Sequence, residues 1–300
     1  MSASWIKSTI ASYLRSLYTT FRIIKSDKAA LTGLSIIMGY ILVAFIGPFF
    51  IELDLSPTPE RLCPPSWKHP LGTDPFGRDI LAQLIHGARE MLIVGFLAGA
   101  ITVAIGAAIG MLSGYAGGKL DMVLMSIADI VLTIPGFPLL MVIAAFLIGS
   151  GVKELAPPIA AALLSITAWA GLARAIRSQV LAIKEEPFIE AAKTLGLSKL
   201  HIIFGEILPN LMPYIAMNFM LSSVGAIYAY VGIMALGLVA YKPGNWGVML
   251  HMAMAYVGTV TGVGSWCVLA PATAIVLLQI GLVLFSNGVD KLFNPRLREE

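Results

Sequence analysis

The sequence predicts an all-α integral membrane protein, on the strength of its composition and its long uncharged runs. Hydrophobic residues make up 58% of the 300-residue chain and charged residues 12%, with a mean hydropathy of +0.85. Soluble domains are far less apolar. A bilayer core about 30 Å thick needs about 20 apolar residues per helical crossing, and isolated strands cannot satisfy their backbone groups there. Six such runs occur, at 29–51, 91–114, 122–149, 157–173, 210–240 and 267–286.

The positions of Lys and Arg predict a multi-pass protein of the plasma or inner membrane with both termini in the cytoplasm. With the N-terminus inside, fourteen of the 20 Lys and Arg residues fall on the cytoplasmic side. Basic residues near span ends are retained there. This topology puts loops 52–90 and 241–266 outside and loop 174–209 inside. It also explains the net charge of +3 without a nucleic-acid partner.

Residues 1–28 predict a cytoplasmic amphipathic segment, because apolar residues recur every three or four positions with basic residues between them. It either lies in the membrane interface or packs on protein. The first span is too long for a signal-peptide core and no small-residue cleavage site follows it, so a retained helix is expected. Residues 29–300 then form a six-helix transmembrane domain.

Two cysteines, Cys63 and Cys267, both fall on the predicted outer side. They form either a disulfide or two free thiols, since sequence says nothing about their distance. No Cys/His cluster predicts a metal site. Span two carries glycines at four-residue spacing, which favours close helix packing within the subunit or at a dimer seam.

Span three carries an acidic residue, Asp129, inside the predicted membrane region. A carboxylate there costs free energy unless it is paired or faces water. Two interpretations follow: a structural ion pair with Arg174 or Arg177, or a place in the lining of the substrate pathway. Pro135 and Pro138 predict a break or bend in the same span.

The loop 174–209 is long for a compact membrane protein, and its residues predict two short helices. Glu186 and Pro187 suit a helix start, and Gly196 suits a left-handed end. Ser198 offers a fresh N-cap for the second helix, which leads to the proline at the next span. Two helices joined at a glycine predict a rigid protrusion able to transmit force.

The segment 69–90 changes from turn residues to a helical pattern, with Asp79 or a neighbour as the cap. It resembles the LGTD-x-x-GRD segment of C-type permease subunits in the dipeptide and oligopeptide family of ATP-binding-cassette (ABC) importers. The matching external residues are Gly72, Thr73, Asp74, Gly77, Arg78 and Asp79. A structural turn and an ion-paired cap explain these charged residues better than catalysis does.

The loop 174–209 resembles the cytoplasmic EAA loop of the same permeases. The matching residues are Glu190, Ala191, Ala192, Gly196, Leu208 and Pro209. The resemblance covers almost the whole chain and implies the six-helix type I ABC importer permease (MetI-like) fold. It also implies that this loop contacts a cytoplasmic ATPase, with the alanines allowing close approach. The family pattern has Ile where this chain has Glu206, which leaves the contact there open.

The resemblance implies a heterodimer with a homologous B-type permease, two cytoplasmic ATPase subunits and an extracytoplasmic substrate-binding protein. The chain lacks the phosphate-binding sequence GxxxxGK[ST]. We therefore expect no cofactor and no catalytic residue in this chain, with ATP and Mg²⁺ bound by the partner ATPases.

The resemblance implies small peptides as the substrate, with oligosaccharides or a nickel complex as alternatives carried by the same machinery. An ion-driven secondary transporter predicts an inverted repeat and several ionisable groups at mid-membrane. An intramembrane protease needs Ser and His within the membrane. The sequence favours neither of these two.

Overall fold

The structure is a computed structural model that describes residues 27–152, 155–237, 242, 244–257 and 262–293. The predicted amphipathic segment 1–28 lies almost entirely outside these residues. The helices are α1 Lys28–Ile46, α2 Ile80–Ala116, α3 Gly118–Thr133, α4 Gly136–Gly149, α5 Pro157–Lys184, α6 Pro187–Thr194, α7 Lys199–His201, α8 Leu208–Ala235, α9 Trp246–Tyr256 and α10 Trp266–Phe293. A 3₁₀ turn, Gly47–Phe49, extends α1, and a π-helical stretch, Ile202–Ile207, joins α7 to α8.

Among the residues that the structure describes, five helices are long and apolar enough to cross a membrane, and a bent pair makes a sixth crossing if its two halves count as one. That pair is α3 and α4, which meet at 75°. The break falls at Ile134 and Pro135, whose extended backbone angles interrupt the helix. Proline cannot donate the helical hydrogen bond at this point. The bend predicted from the prolines of span three is therefore confirmed.

The long helix α2 lies at the centre of the bundle, and its glycines are the reason that neighbours approach it closely. A Cβ at Gly99 would lie 2.3 Å from Ser223 Oγ of α8. A Cβ at Gly110 would lie 2.6 Å from the Ala173 carbonyl oxygen of α5. Because both contacts lie within the subunit, the glycine pattern serves internal packing, as the first of the two interpretations predicts.

Helix boundaries differ from the prediction at several places. Helix α5 continues to Lys184, ten residues beyond the predicted start of the loop, because its inner face packs on α2 as far as Val180. Residues 199–235 form one continuous rod, so the second loop helix is the start of the fifth span and does not stop at Pro209. The rod ends at Ala235, five residues before the predicted end of that span.

The predicted external loop 241–266 contains an 11-residue helix, α9, that was not predicted. Asn245 caps it by accepting hydrogen bonds from the backbone N–H groups of Gly247 and Val248. Trp246 is buried and donates from Nε1 to the Leu84 carbonyl oxygen at 2.9 Å. The helix is apolar on all sides and too short to span a bilayer, so periodicity gave no signal for it.

Candidate coupling element and translocation cleft

The external segment that carries the LGTD residues folds around the buried side chain of Thr73. Its hydroxyl donates to the Glu60 carbonyl oxygen at 2.6 Å and accepts from the Cys63 N–H at 2.8 Å. Asp74 Oδ1 accepts from the N–H groups of Phe76 and Arg78, which closes the turn. These bonds make the segment a structural turn, as expected.

Two glycines of this segment fit their turn for steric reasons, and an aspartate ends it as a helix cap. Gly72 and Gly77 have φ angles of +79° and +80°, which favour glycine. A Cβ at Gly77 would lie 2.3 Å from Thr58 Oγ1. Asp79 caps α2, accepting from the Ala82 N–H at 2.8 Å, which confirms the predicted cap.

Cys63 and Cys267 are free thiols, as in the second interpretation of that pair.

His69 joins two carboxylates of the same segment. Its Nδ1 lies 2.7 Å from Asp79 Oδ2 and its Nε2 lies 3.0 Å from Glu60 Oε2. The hydrogen bond to Asp79, followed by that to Glu60, raises the pKa of His69 above its ordinary value. Lys68 and then His69 lower the pKa of Glu60. The segment is therefore held by an imidazole between two carboxylates, and these carboxylates favour its protonated form.

We predict that this segment loses stability as the pH rises. A histidine with a raised folded-state pKa contributes stability below its unfolded pKa of about 6.5 and loses it as the pH passes the raised value. The Glu60 carboxylate contributes stability above its unfolded-state pKa of about 4.5. It loses this contribution as the pH falls through its lowered folded-state pKa. The melting temperature should therefore fall by about 2 °C above neutrality in the wild type.

The measurement is the melting temperature of the purified protein from pH 5.5 to 8.5, compared with His69→Gln. The variant should be less stable at the acidic end and should converge with the wild type at the alkaline end. His201→Gln, at an exposed position on α7, serves as the control. A constant difference between His69→Gln and the wild type across the pH range would contradict the prediction.

The short helix α6 lies beyond the inner end of α5, on the side of the bundle that the sequence analysis places in the cytoplasm. It begins at Pro187 with Glu186 as N-cap, and Gly196 follows its end with a φ of +74°. Ser198 then caps α7 by accepting from the His201 N–H at 3.2 Å. These three features confirm the predicted local signals, and only the merger of α7 into α8 departs from them.

Helix α6 packs one face on the bundle and leaves the other exposed. Ile189 and Ala192 are buried against a cluster that includes Ile202 and Ile207 of the π-helical stretch. Glu190 and Ala191 point outward, and the Glu190 side chain is 71% exposed. Ala192, which the sequence analysis placed at the contact with the ATPase, is 5% exposed and belongs to the inner face.

The exposed side of residues 187–204 is more apolar than a solvated loop requires. Four large apolar residues on it are exposed, namely Phe188, Leu195, Leu200 and Phe204. Contiguous exposed apolar residues on an extramembrane surface are typical of protein contact sites. We call Glu190, Ala191, Gly196 and these four residues the coupling face. Leu208 and Pro209 lie outside it, in the first turn of α8.

A charged cluster fixes the inner end of α5 to α2 and α3. Asp121 of α3 accepts two hydrogen bonds from Arg177, from Nε to Oδ1 and from Nη2 to Oδ2, both at 2.5 Å. The hydroxyl of Ser113 on α2 donates to the same carboxylate. We call these three residues the Asp121 clamp. Two-bond Arg–carboxylate pairs fix geometry as well as charge.

The sequence analysis considered Arg177 as a partner of Asp129, and the structure assigns it to Asp121 instead. Asp129 pairs with Arg174, whose Nη2 lies 3.0 Å from Asp129 Oδ1. Both of these side chains are about half exposed, at 51% and 53%. The Asp121 clamp is more enclosed, with Asp121 16% and Arg177 32% exposed. Two ion pairs of different character therefore join α3 to α5.

A cleft of about 490 Å³ opens between α2, α4, α5 and α8. Its lining is uncharged and combines small residues with a few hydrogen-bonding side chains. The polar members are Thr102, Thr167, Asn218 and Ser222. The sequence analysis named none of them, because in an apolar span such residues look the same whether they pack helices or line a path. Among the described residues no group of His, Cys, Asp and Glu could hold a metal ion.

Comparison with known proteins places this architecture. Residues 106–299 match the family described as "Binding-protein-dependent transport system inner membrane component". The chain is 34% identical over 282 residues to the dipeptide transport system permease protein DppC of Alkalihalophilus pseudofirmus, covering 93% of this chain and 89% of that protein. It is also 34% identical over 281 residues to the oligopeptide transport system permease protein OppC of Bacillus subtilis, covering 92% and 88%.

A solved structure shares the fold. An inward-facing form of the MetNI methionine ABC transporter matches with a TM-score of 0.53 at 21% identity, covering 69% of this chain and 96% of that chain. The all-α membrane fold of a type I importer permease is thereby confirmed. The bundle of apolar helices, the family match over more than half of the chain and the identity to named permeases agree: this chain belongs to the inner-membrane permease components of binding-protein-dependent ABC transport systems and is not itself an enzyme.

Proposed function

We propose that this chain forms one half of the pathway by which an ATP-driven importer moves small peptides across the membrane. The observation that carries the proposal is the uncharged cleft whose Thr, Asn and Ser side chains can hydrogen-bond to peptide groups. The similarity to permeases named for dipeptides and oligopeptides supports the same substrate class. Oligosaccharides and a nickel complex remain the alternatives for this machinery, and family membership argues against an ion-driven secondary transporter.

A homologous B-type permease is the proposed partner that completes the pathway. The α3–α4 pair buries three residues, which are Ala128, Leu140 and Ala144. Several large apolar residues on it stay exposed in the single chain, including Met122, Ile130, Val142 and Phe146. A related permease supplies a second apolar bundle of matching length. In the proposed heterodimer, the path runs between the cleft of this chain and the matching cleft of its partner.

Coupling to two cytoplasmic ATPase subunits is proposed to run through the coupling face. Glu190, Ala191 and Gly196 are its central residues, and ATP and Mg²⁺ bind to those partners. An extracytoplasmic binding protein delivers the substrate to the opposite side, and both termini of this chain lie in the cytoplasm. The rigid attachment of α6 through Ile189 and Ala192 supports transmission of motion to α2, α5 and α8.

The test is uptake by the reconstituted importer, containing this chain, its sister permease, the ATPases and the copurifying binding protein. Labelled peptides of two to five residues, an oligosaccharide and a nickel complex are compared at equal concentration. We expect ATP-dependent uptake of peptides, and peptides should raise the melting temperature of the binding protein. Uptake of the oligosaccharide or nickel complex without uptake of any peptide would overturn the proposed substrate.

A further inference from the structure

The Asp129–Arg174 pair lies at the inner mouth of the cleft. Helix α3 meets α5 where a Cβ at Gly171 would lie 3.9 Å from Leu132, and Thr167 lines the cleft one turn further out. Asp129 precedes Leu132 by three residues and Arg174 follows Gly171 by three, so the pair sits one turn inward of this contact. The lining of the cleft reaches Ala175, the residue after Arg174, so the pair borders the inner end of the cleft.

A polar pocket lies beside the Arg174 side chain. It has a volume of about 240 Å³ and lies between α3 and α5. Arg174 and Ser178 are among its lining residues, and they lie seven and eleven positions after Thr167 of the cleft. Residues at these spacings share one face of a helix. One face of α5 therefore leads from the uncharged cleft past Arg174 to a pocket whose charged lining residues are Asp121, Arg174 and Arg177.

The Asp129–Arg174 pair separates more easily than the Asp121–Arg177 pair of the Asp121 clamp. A half-exposed pair with a single contact at 3.0 Å is a weak one, because solvent screens its charges, so separating its partners costs little. The clamp has two bonds at 2.5 Å and a third donor in Ser113. Two ion pairs on the same two helices thus divide into one that holds the helices and one whose charges are available.

We propose that Asp129 and Arg174 form a binding subsite for the charged termini of a small peptide at the inner mouth of the cleft. This inference rests on the proposed function and adds the feature of the substrate that the site reads. The Arg174 guanidinium takes the terminal carboxylate through two parallel N–H donors, and the Asp129 carboxylate accepts from the terminal ammonium. A molecule with both charges replaces the internal pair without leaving either side chain unpaired.

Other substrate classes fit this subsite less well. An oligosaccharide carries no charge to exchange for the internal pair. A peptide blocked at both ends also lacks the terminal charges, although its backbone is unchanged. A free amino acid carries both charges at a shorter spacing than the roughly 7 Å of an extended dipeptide. Blocked peptides and free amino acids are therefore the informative comparisons.

The experiment measures protection of a cysteine placed in the polar pocket. Ser178→Cys is introduced into the complete importer, and its reaction with a maleimide is followed without nucleotide by mass spectrometry of the labelled segment. A dipeptide with free termini at millimolar concentration should slow labelling several-fold. The same dipeptide acetylated at its N-terminus and amidated at its C-terminus should not. Ser56→Cys, on the exposed external segment, should be protected by neither.

The second arm removes the charges with little change of shape. In the Asp129→Asn, Arg174→Gln background, the free dipeptide should need at least about tenfold higher concentration for the same protection, the loss expected when charge-assisted hydrogen bonds are removed. If this background fails to assemble, the free and blocked dipeptides in Ser178→Cys alone decide the question. Equal protection by both, stronger protection by the free amino acid, or unchanged protection in the variant would overturn the proposal.

The outcome also separates this inference from the proposed function. Uptake of dipeptides together with protection that ignores their termini would reject the subsite and leave the peptide importer standing. Uptake of oligosaccharide alone would reject the peptide substrate, and the subsite with it.

Discussion

A permease carrying Ala191→Trp is expected to insert and assemble its helices normally and yet to lose at least about nine-tenths of its ATP-dependent uptake. Ala191 lies on the exposed side of α6, next to Glu190 and Leu195 of the coupling face. Because Ala191 is exposed, an indole there projects into the space where the ATPase is proposed to dock. Close-packed interfaces tolerate such added volume poorly, with costs of about 1–3 kcal/mol or more.

The adjacent alanine is the matched control. Ala192 is one residue away but faces the buried cluster with Ile202 and Ile207. Ala192→Trp should therefore lower the melting temperature of the permease itself, whereas Ala191→Trp should leave it within about 1 °C of the wild type. Gly196→Trp should uncouple as Ala191→Trp does, with some loss of local stability, because its φ of +74° favours glycine.

Two measurements decide this prediction: uptake by proteoliposomes and the melting temperature of the purified permease. ATP hydrolysis by the ATPases should continue without matching uptake in Ala191→Trp. Wild-type uptake by Ala191→Trp would place the ATPase contact elsewhere on the chain. A shared loss of melting temperature in both alanine variants would show that α6 has no free face.

Local signals in the sequence were sufficient for the number and order of the spans and for the start and end of α6, but not for several of the span boundaries. Each of these signals has one physical consequence. An uncharged run of about 20 residues crosses the membrane, the prolines of span three break its helix, and Gly196 adopts the left-handed backbone that ends α6. The inward position of Ala192 was not predictable in the same way. It depends on how α6 docks on Ile202–Ile207, a π-helical stretch whose wider turns shift every following side chain around the axis.

The pairing of the charges likewise needed three dimensions. Arg174 and Arg177 are three residues apart on α5, and both Asp121 and Asp129 lie on α3. Spacing alone allowed either arginine to meet Asp129. The packing of the turn between α2 and α3 against α5 decides the matter. Lys184 Nζ donates to the Tyr115 carbonyl oxygen at 3.0 Å, and Asp121 lies beside Arg177. The cleft lining was invisible for a related reason, since small uncharged residues serve packing and passage alike.

Breaking the Asp121 clamp is expected to destabilise the permease more than any other single change of a charged residue considered above. Arg177→Met removes both donors at 2.5 Å and leaves the Asp121 carboxylate, 16% exposed, with Ser113 as its remaining clamp donor. Removing one member of a fully buried pair costs about 3–5 kcal/mol. Since Arg177 is about one-third exposed, we expect about 2 kcal/mol, or roughly 5 °C in melting temperature.

The double variant Asp121→Asn, Arg177→Met separates the loss of the pair from the burden of an uncompensated charge. It should recover part of the stability lost in Arg177→Met, because the neutral amide needs no counter-charge and still accepts from Ser113. Arg174→Met, which opens the half-exposed pair with Asp129, should change the melting temperature by at most about 2 °C. Equal losses in Arg174→Met and Arg177→Met would contradict the division into a holding pair and an available pair. Such a result would also remove the structural ground for assigning Asp129 and Arg174 to the peptide termini.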